Sequence, residues 1–404
     1  MTPEELGFDS RRLSRIADLT HRYVDQGKWP GALVAVWRHG REVYRDAYGM
    51  ADMERGTPVA DDTVYRLFSM TKPITSIALL QLVEQGIVRL EDPVGDYIPG
   101  FADTEVYVSG DADGYETRPA DRPMEVVDLL RHTSGLTYGF LEAGPVDAIY
   151  RANDLGTFSR ESRPLAEVCD ELAKLPLVYS PGDHWEYSMA TDVCGRVVEV
   201  ASGKQLSSYI EEHVTGPLAM TETAFWARPH QHDRLAANYV ATPDQKLMLI
   251  DDPARSPARE APAFEGGGGG MVGTLDDYLR FCQALLNGGE LDGERVIGRK
   301  TLQVATRNHL PGGRTVAEMW LAQTFAEAQM SGMGFGLGFS VIQDVAANRI
   351  IASEGEFAWG GAASTGFWVD PVEDLTCVIM TQQLPSSTYP IRRQLRNVVY
   401  GCLT

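Results

Sequence analysis

Three groupings of residues in this chain have the types and spacing for nucleophilic chemistry. Ser69 and Lys72 form the only Ser-x-x-Lys in the sequence, from a stock of six lysines. Positions three apart share one face of a helix, so the spacing predicts that the Ser69 hydroxyl and the Lys72 amine meet. Burial disfavours the charged form of an amine, and a neutral amine beside a hydroxyl is a base beside a nucleophile. Tyr187-Ser188 follows the turn Pro181-Gly182-Asp183-His184-Trp185. A phenol is un-ionised at neutral pH on its own, so Tyr187 serves as a base only beside a cation such as Lys72. Near the C-terminus, Trp359-Gly360-Gly361 joins an aromatic wall to two residues without side chains, which would let a ligand approach the backbone.

The elements that position these groups follow from pattern. The run Ile74 to Val83 is apolar nearly all round (Ile77, Ala78, Leu79, Leu80, Leu82, Val83), which predicts a buried helix with the Ser-x-x-Lys at its mouth. Pro73 fits its first turn and Gly86 its end. Asp9 is placed to cap an N-terminal helix over residues 10–26, with Leu13, Ile16, Leu19 and Tyr23 on one stripe. Residues 31–37 and 42–48 read as two strands turned at His39-Gly40. Strands are predicted again at 335–342, 349–353, 363–369 and 376–381. Helices are predicted at 126–131, 165–175, 191–201, 205–213, 275–286 and 389–400. Strands at both ends and helices between them imply an α/β (α+β) fold. It consists of one mostly antiparallel sheet flanked by helices, built from both chain ends, plus an inserted all-helical domain. The expected division is a sheet subdomain of 1–86 and 266–404 and a mainly helical one of 87–265, within one catalytic unit. Residues 101–123 read as an exposed polar loop, 227–264 as a polar segment with one short hairpin, and 137–163 give no pattern. The length of 101–123 and 227–264 suits a lid. Gly266 to Gly270 precede a helix but lack Gly-Lys-Ser/Thr and a preceding apolar strand, which argues for close backbone approach and against a phosphate loop.

Composition narrows the function further. The chain has 404 residues and a formal charge of −20, which argues against nucleic-acid and anionic-membrane partners. No secretory signal and no membrane-length apolar run are evident. Five scattered cysteines without a Cys-x-x-Cys pair point to reduced thiols and a cytoplasmic location. The eight histidines show no metal spacing, and neither a metal nor an organic cofactor is implied. There is no Gly-x-Ser-x-Gly, so the α/β-hydrolase nucleophile elbow is absent. Ser134 reads as a turn residue and His184 as a structural loop histidine.

Ser69-x-x-Lys72, Tyr187-Ser188 after Pro-Gly-x-x-Trp, and Trp359-Gly360-Gly361, in that order, resemble the serine β-lactamase-like superfamily. Within it they resemble most the class C-related branch, the family VIII carboxylesterases. The His-Thr-Ser-Gly-Leu run at 132–136 and the glycines before the helix at 275 fit the same likeness, which spans nearly the whole chain. The resemblance implies an α/β domain and a helical domain with the site in the cleft between them. It implies Ser69 as nucleophile, with Lys72 and Tyr187 as its catalytic partners. The backbone N–H groups of Ser69 and Ala362 would form the oxyanion hole, and Trp359, Gly360 and Gly361 would contact a small-molecule ester. Two positions depart from the lactamase pattern: Met189 stands where an Asn is usual, and Trp359 where a basic residue is usual. Without that cation, a charge-assisted contact to a substrate carboxylate worth roughly 1–3 kcal/mol is missing. A neutral acyl ester is therefore the expected substrate, with acyl transfer to an alcohol as the alternative and β-lactam, D-peptide or amide cleavage disfavoured.

Overall fold

The computed structural model describes residues 1–158, 161–320 and 330–404. Asp9 accepts a hydrogen bond from the Arg11 N–H and starts helix α1, Ser10–Asp25, whose buried stripe is Leu13, Ile16, Leu19 and Tyr23. Strands β1 (Gly31–Arg38) and β2 (Arg41–Asp52) follow, then the short β3 (Thr57–Pro58). Helix α2 spans Thr71–Glu84, α3 Ala190–Ser202 and α4 Leu275–Leu286. The C-terminal third supplies β4 (Met333–Phe335), β5 (Ser340–Ile342), β6 (Phe357–Gly360), β7 (Gly366–Asp370), β8 (Leu375–Met380) and helix α5 (Ile391–Tyr400).

These strands form one antiparallel sheet in the order β4-β5-β6-β7-β8-β1-β2-β3. The two ends of the chain meet where β1 pairs with β8, in the register Leu33 to Met380 and Val36 to Cys377. Side-chain alternation then sorts two cores. Val34, Val36, Trp368 and Cys377 face α1 and α5. Leu33, Ala35, Phe367 and Val378 face the other way, into the larger core with α2, α4 and the central helices.

Helix α2 lies inside that larger core, buried from Thr71 through Leu82. A helix with apolar residues on every side has no face for water, so it needs neighbours all round. Two of its polar side chains are tied to backbone carbonyls: Thr75 Oγ1 donates to Gly267 O at 2.9 Å and Gln81 Nε2 to Val296 O at 2.6 Å.

Several elements differ from expectation for local reasons. Residues 349–353 are not a strand. The Asp344 side chain caps the short helix Val345–Asn348, Arg349 ends it in the left-handed region, and pairing resumes only at β6. Residues 335–342 are not one strand but parts of a hairpin, because Gly338 turns the chain at φ +96. The segment 101–123 holds a β-hairpin, Glu105–Asp111 with Gly114–Pro119, moored where the Tyr107 N–H donates to Leu177 O at 2.9 Å. Within 137–163 the helix Pro145–Ala152 forms, and the predicted 205–213 helix runs Leu206–Ile210 before widening into a π-turn at Glu211–Thr215. The hairpin expected within 227–264 is present as Asn238–Ala241 with Leu247–Asp251. All five cysteines are buried and free. Among the described residues no helix is long and apolar enough to cross a membrane.

Gly338 joins sheet and helix at close range, since a Cβ there would lie 2.3 Å from Ser76 Oγ of α2. Gly338→Ala is expected to lower unfolding free energy by ~1–3 kcal/mol, from backbone strain plus overpacking. Gly56→Ala, also at positive φ but with open space around it, should lose less. Urea denaturation of both variants measures this, and equal losses would refute the packing argument.

Candidate active site

Ser69 sits on a turn that is fixed on both sides. The Leu67 N–H donates to Met271 O at 2.9 Å and the Met70 N–H to Leu67 O at 3.1 Å. Between them Phe68 is held in the left-handed region at φ 47, a conformation that costs a side-chain-bearing residue ~1–3 kcal/mol unless its surroundings impose it. The 3-10 turn Phe68–Met70 feeds directly into α2, which places Ser69 at the helix mouth and Lys72 one turn inside.

Lys72 is 2 % exposed. Its Nζ donates to Gly268 O at 2.6 Å, to Tyr138 OH at 3.0 Å and to Ser69 Oγ at 3.2 Å. Tyr187 OH lies 2.5 Å from Ser69 Oγ, and the Lys72 Nζ is 4.6 Å from the Tyr187 ring centroid. Ser69, Lys72 and Tyr187 therefore form one hydrogen-bonded cluster. Tyr187 is held from beneath by the His132 segment: the Glu186 N–H donates to His132 O at 2.9 Å, and Ser188 Oγ lies 3.1 Å from His132 Nδ1. Burial, and after it the Lys72 charge, push the His132 imidazole well below its ordinary titration range, so it is neutral.

Ala362 follows the end of β6 and borders the same cavity as Ser69. Among the described residues neither the Ser69 nor the Ala362 N–H has a hydrogen-bond acceptor. Trp359, Gly360 and Gly361 also line that cavity, which has a volume of about 760 Å³. A Cβ at Gly361 would lie 2.2 Å from Thr365 Oγ1 and 2.4 Å from Leu67 O, so the protein's own packing already requires glycine there. His184 points away to Met319 O, at 3.2 Å from Nδ1. Ser134 Oγ accepts from the Leu136 N–H within its turn.

Two members of the cluster escaped the sequence analysis. Tyr138 lies two residues beyond His-Thr-Ser-Gly-Leu, and Asp192 is in the first turn of α3, five residues after Tyr187. Asp192 Oδ1 accepts from the Gly268 N–H at 2.9 Å, and its carboxylate also engages the Tyr138 hydroxyl. The five-glycine run is what admits this contact, because a Cβ at Gly268 would lie 2.6 Å from Asp192 Oδ2 and 2.7 Å from Tyr138 OH. Burial raises the Asp192 carboxyl above its usual range while the Lys72 charge pulls it back. Burial, with the Asp192 charge, holds the Tyr138 phenol well above 10, so Tyr138 is un-ionised. The only available signal was spacing, and Tyr and Asp near a helix start are too common to single out.

A family model described as Beta-lactamase matches residues 16–400. Protein Rv1367c of Mycobacterium tuberculosis is 35% identical over 366 residues, covering 89% of this chain and 88% of the relative. Esterase EstB of Burkholderia gladioli is 32% identical over 423 residues, covering 99% and 98%. Among solved structures, EstCE1, described as a hydrolase with promiscuous acyltransferase activity, superposes with a TM-score of 0.81 at 28% identity, covering 97% of this chain and 99% of that one.

Asp192→Asn is expected to leave the fold intact but loosen Gly268, Tyr138 and through them Lys72. Labelling of Ser69 by a fluorophosphonate probe should slow by about 10–100-fold, and an unchanged rate would show that the carboxylate does not position the cluster. Glu186, 2 % exposed and, among the described residues, accepting only from Trp320 Nε1 at 3.2 Å, is pushed by burial from 4.5 up to about 8. Between those values the folded state binds more protons than the unfolded one, so Glu186 favours folding at low pH and loses that contribution as pH rises toward 8. Glu186→Gln should flatten the fall in stability between pH 5 and pH 8, by up to ~1.4 kcal/mol per pH unit. Parallel stability curves for the two proteins in urea would rule this out.

Proposed function

The chain belongs to the beta-lactamase family, and on that premise we propose that it is a serine carboxylesterase acting on neutral acyl esters through an acyl-serine intermediate. The observation that carries this assignment is the order of distances around Ser69 Oγ: Tyr187 OH at 2.5 Å, Lys72 Nζ at 3.2 Å. An ammonium has three N–H donors, and Lys72 has three acceptors around it. In this reading Lys72 serves as the fixed cation beside which Tyr187 acts as the base.

In the first half-reaction Ser69 Oγ adds to the ester carbonyl carbon while its proton passes to Tyr187. The oxyanion is held by the N–H groups of Ser69 and Ala362. The bond from carbonyl carbon to the alcohol oxygen breaks, Tyr187 returns the proton to that oxygen, and the alcohol leaves an acyl-Ser69. Water then repeats the sequence: Tyr187 takes its proton, its oxygen adds to the acyl carbon, and Ser69 departs with the proton as the acid is released. Trp359, 5.7 Å from the Tyr187 ring between centroids, offers an apolar wall where a cation would have selected a substrate carboxylate.

In this proposal the site lies between a sheet subdomain of 1–86 and 266–404, which brings Ser69, Lys72 and Trp359, and a mainly helical one of 87–265, which brings Tyr138, Tyr187 and Asp192. Five buried free thiols support a reducing, cytoplasmic setting. Acyl transfer to an alcohol is the second reading, favoured by a cavity with room for an acceptor beside the acyl group and by the description of EstCE1.

Hydrolysis of p-nitrophenyl butyrate by the wild type should be lost by at least ~1,000-fold in Ser69→Ala and Tyr187→Phe. Added alcohols partition the acyl group between water and ester product, which separates the two readings. Undiminished turnover by Ser69→Ala would overturn both.

A further inference from the structure

Tyr187 stands where two sets of aromatic rings meet, and the two sets are built differently. On one side the rings of Trp359, Phe335, Trp185 and Trp320 cross at steep angles: Phe335 and Trp359 at 89°, Trp185 and Trp320 at 66°, Trp185 and Phe335 at 55°. Phe335, Trp185 and Trp320 are at most 2 % exposed, so each ring is already covered by its neighbours. On the other side the rings lie nearly parallel. Tyr138 stacks on Phe140 at 4.6 Å and 24°, and Phe140 stacks on Phe158 at 4.5 Å and 28°. This ladder begins at the phenol that accepts from Lys72 and ends at Phe158, which lines the cavity and is 54 % exposed.

Resting on the esterase assignment above, we propose that the ladder is a subsite for a flat aromatic ring carried by the ester, and that Phe158 sets the preference for it. An aliphatic chain is satisfied by any apolar wall, whereas a near-parallel stack with its last member open rewards a ring that can add another layer. Flat ring partners gain from offset stacking beyond the area they bury, and the crossed set presents no parallel stack to extend: its part-exposed member, Trp359, meets Phe335 at 89° and forms the wall beside Tyr187. The charge at the rim fits a neutral ring. Arg163 is paired with Glu161 at 2.5 Å and also donates to the backbone carbonyl of Asp154 at 3.1 Å, so the Arg163 and Glu161 charges offset each other near Phe158. The 760 Å³ cavity also exceeds what a short alkyl ester fills, lying toward the upper end of the ~300–1,000 Å³ usual for ligand pockets.

The test compares wild type with Phe158→Leu and Phe158→Trp on three esters. They are 2-naphthyl acetate, with the ring on the alcohol side; ethyl 2-naphthylacetate, with the ring on the acyl side; and butyl acetate, with no ring. Phe158→Leu should lower kcat/KM about fivefold to tenfold on one naphthyl ester, mainly through KM. Butyl acetate should stay within about twofold, and Phe158→Trp should retain the preference. The naphthyl ester affected identifies the side of the carbonyl that the ladder serves. An equal loss on all three esters, or no loss on either naphthyl ester, overturns the subsite. Binding of 2-naphthol, followed by its own fluorescence, separates this from failure of the esterase assignment. If no ester is hydrolysed but naphthol binds several-fold more weakly to Phe158→Leu, the ring subsite stands and the esterase reading falls. If naphthol binding does not respond to the substitution, the subsite falls whatever the hydrolysis shows.

Discussion

The site depends on satisfying one buried lysine, Lys72. A buried charge is tolerated only when its hydrogen-bonding capacity is met inside the protein. For Lys72 that capacity is met by a backbone carbonyl, a phenol and the Ser69 hydroxyl. Each acceptor arrives from a different part of the chain, so this single requirement draws the glycine run, the Tyr138 segment and the mouth of α2 to one point. Asp192 supplies the balancing charge one layer out, through Gly268 and Tyr138. The same demand explains the left-handed Phe68: the turn must aim Ser69 into the cavity while α2 carries Lys72 into the core.

The two tyrosines beside Lys72 are set apart by what surrounds them. Tyr138 is buried against a carboxylate, which keeps its proton on and makes it a steady acceptor. Tyr187 touches Ser69 Oγ itself and borders the cavity. In the proposed mechanism two residues of one type thereby take separate tasks through environment, one accepting from Lys72 and the other moving the proton.

The parts of this arrangement that were legible in the sequence rest on short-range rules. The helix spacing of Ser69 and Lys72 and the all-round apolar character of α2 follow from periodicity. So do the paired terminal strands β1 and β2 and the amphipathic α1. Misplaced elements were those decided by a cap or a turn. Asp344 closes a small helix over residues that look like a strand, and Gly338 folds an apolar run into a hairpin. The hairpin at 105–119 was hidden because both of its faces are largely solvated, which erases the period-two signal. Tyr138 and Asp192 were hidden for another reason. They act through a tertiary contact with Gly268, and nothing in their own neighbourhood encodes it.

The sheet that joins the two ends of the chain has a consequence for the order in which the enzyme comes into being. During synthesis Ser69, Lys72, Tyr138 and Tyr187 leave the ribosome long before β6, which leads to the Ala362 N–H, and before β8, which pairs with β1. Until β8 arrives, β1 exposes an unpaired apolar edge that no local partner covers. Pairing of such sequence-distant strands is intrinsically slow. A nascent chain therefore carries every side chain of the proposed reaction and yet no completed pocket. The wall that Trp359 and Ala362 give the pocket thus comes from the tail of the protein, whose strand β8 docks onto β1 at its head.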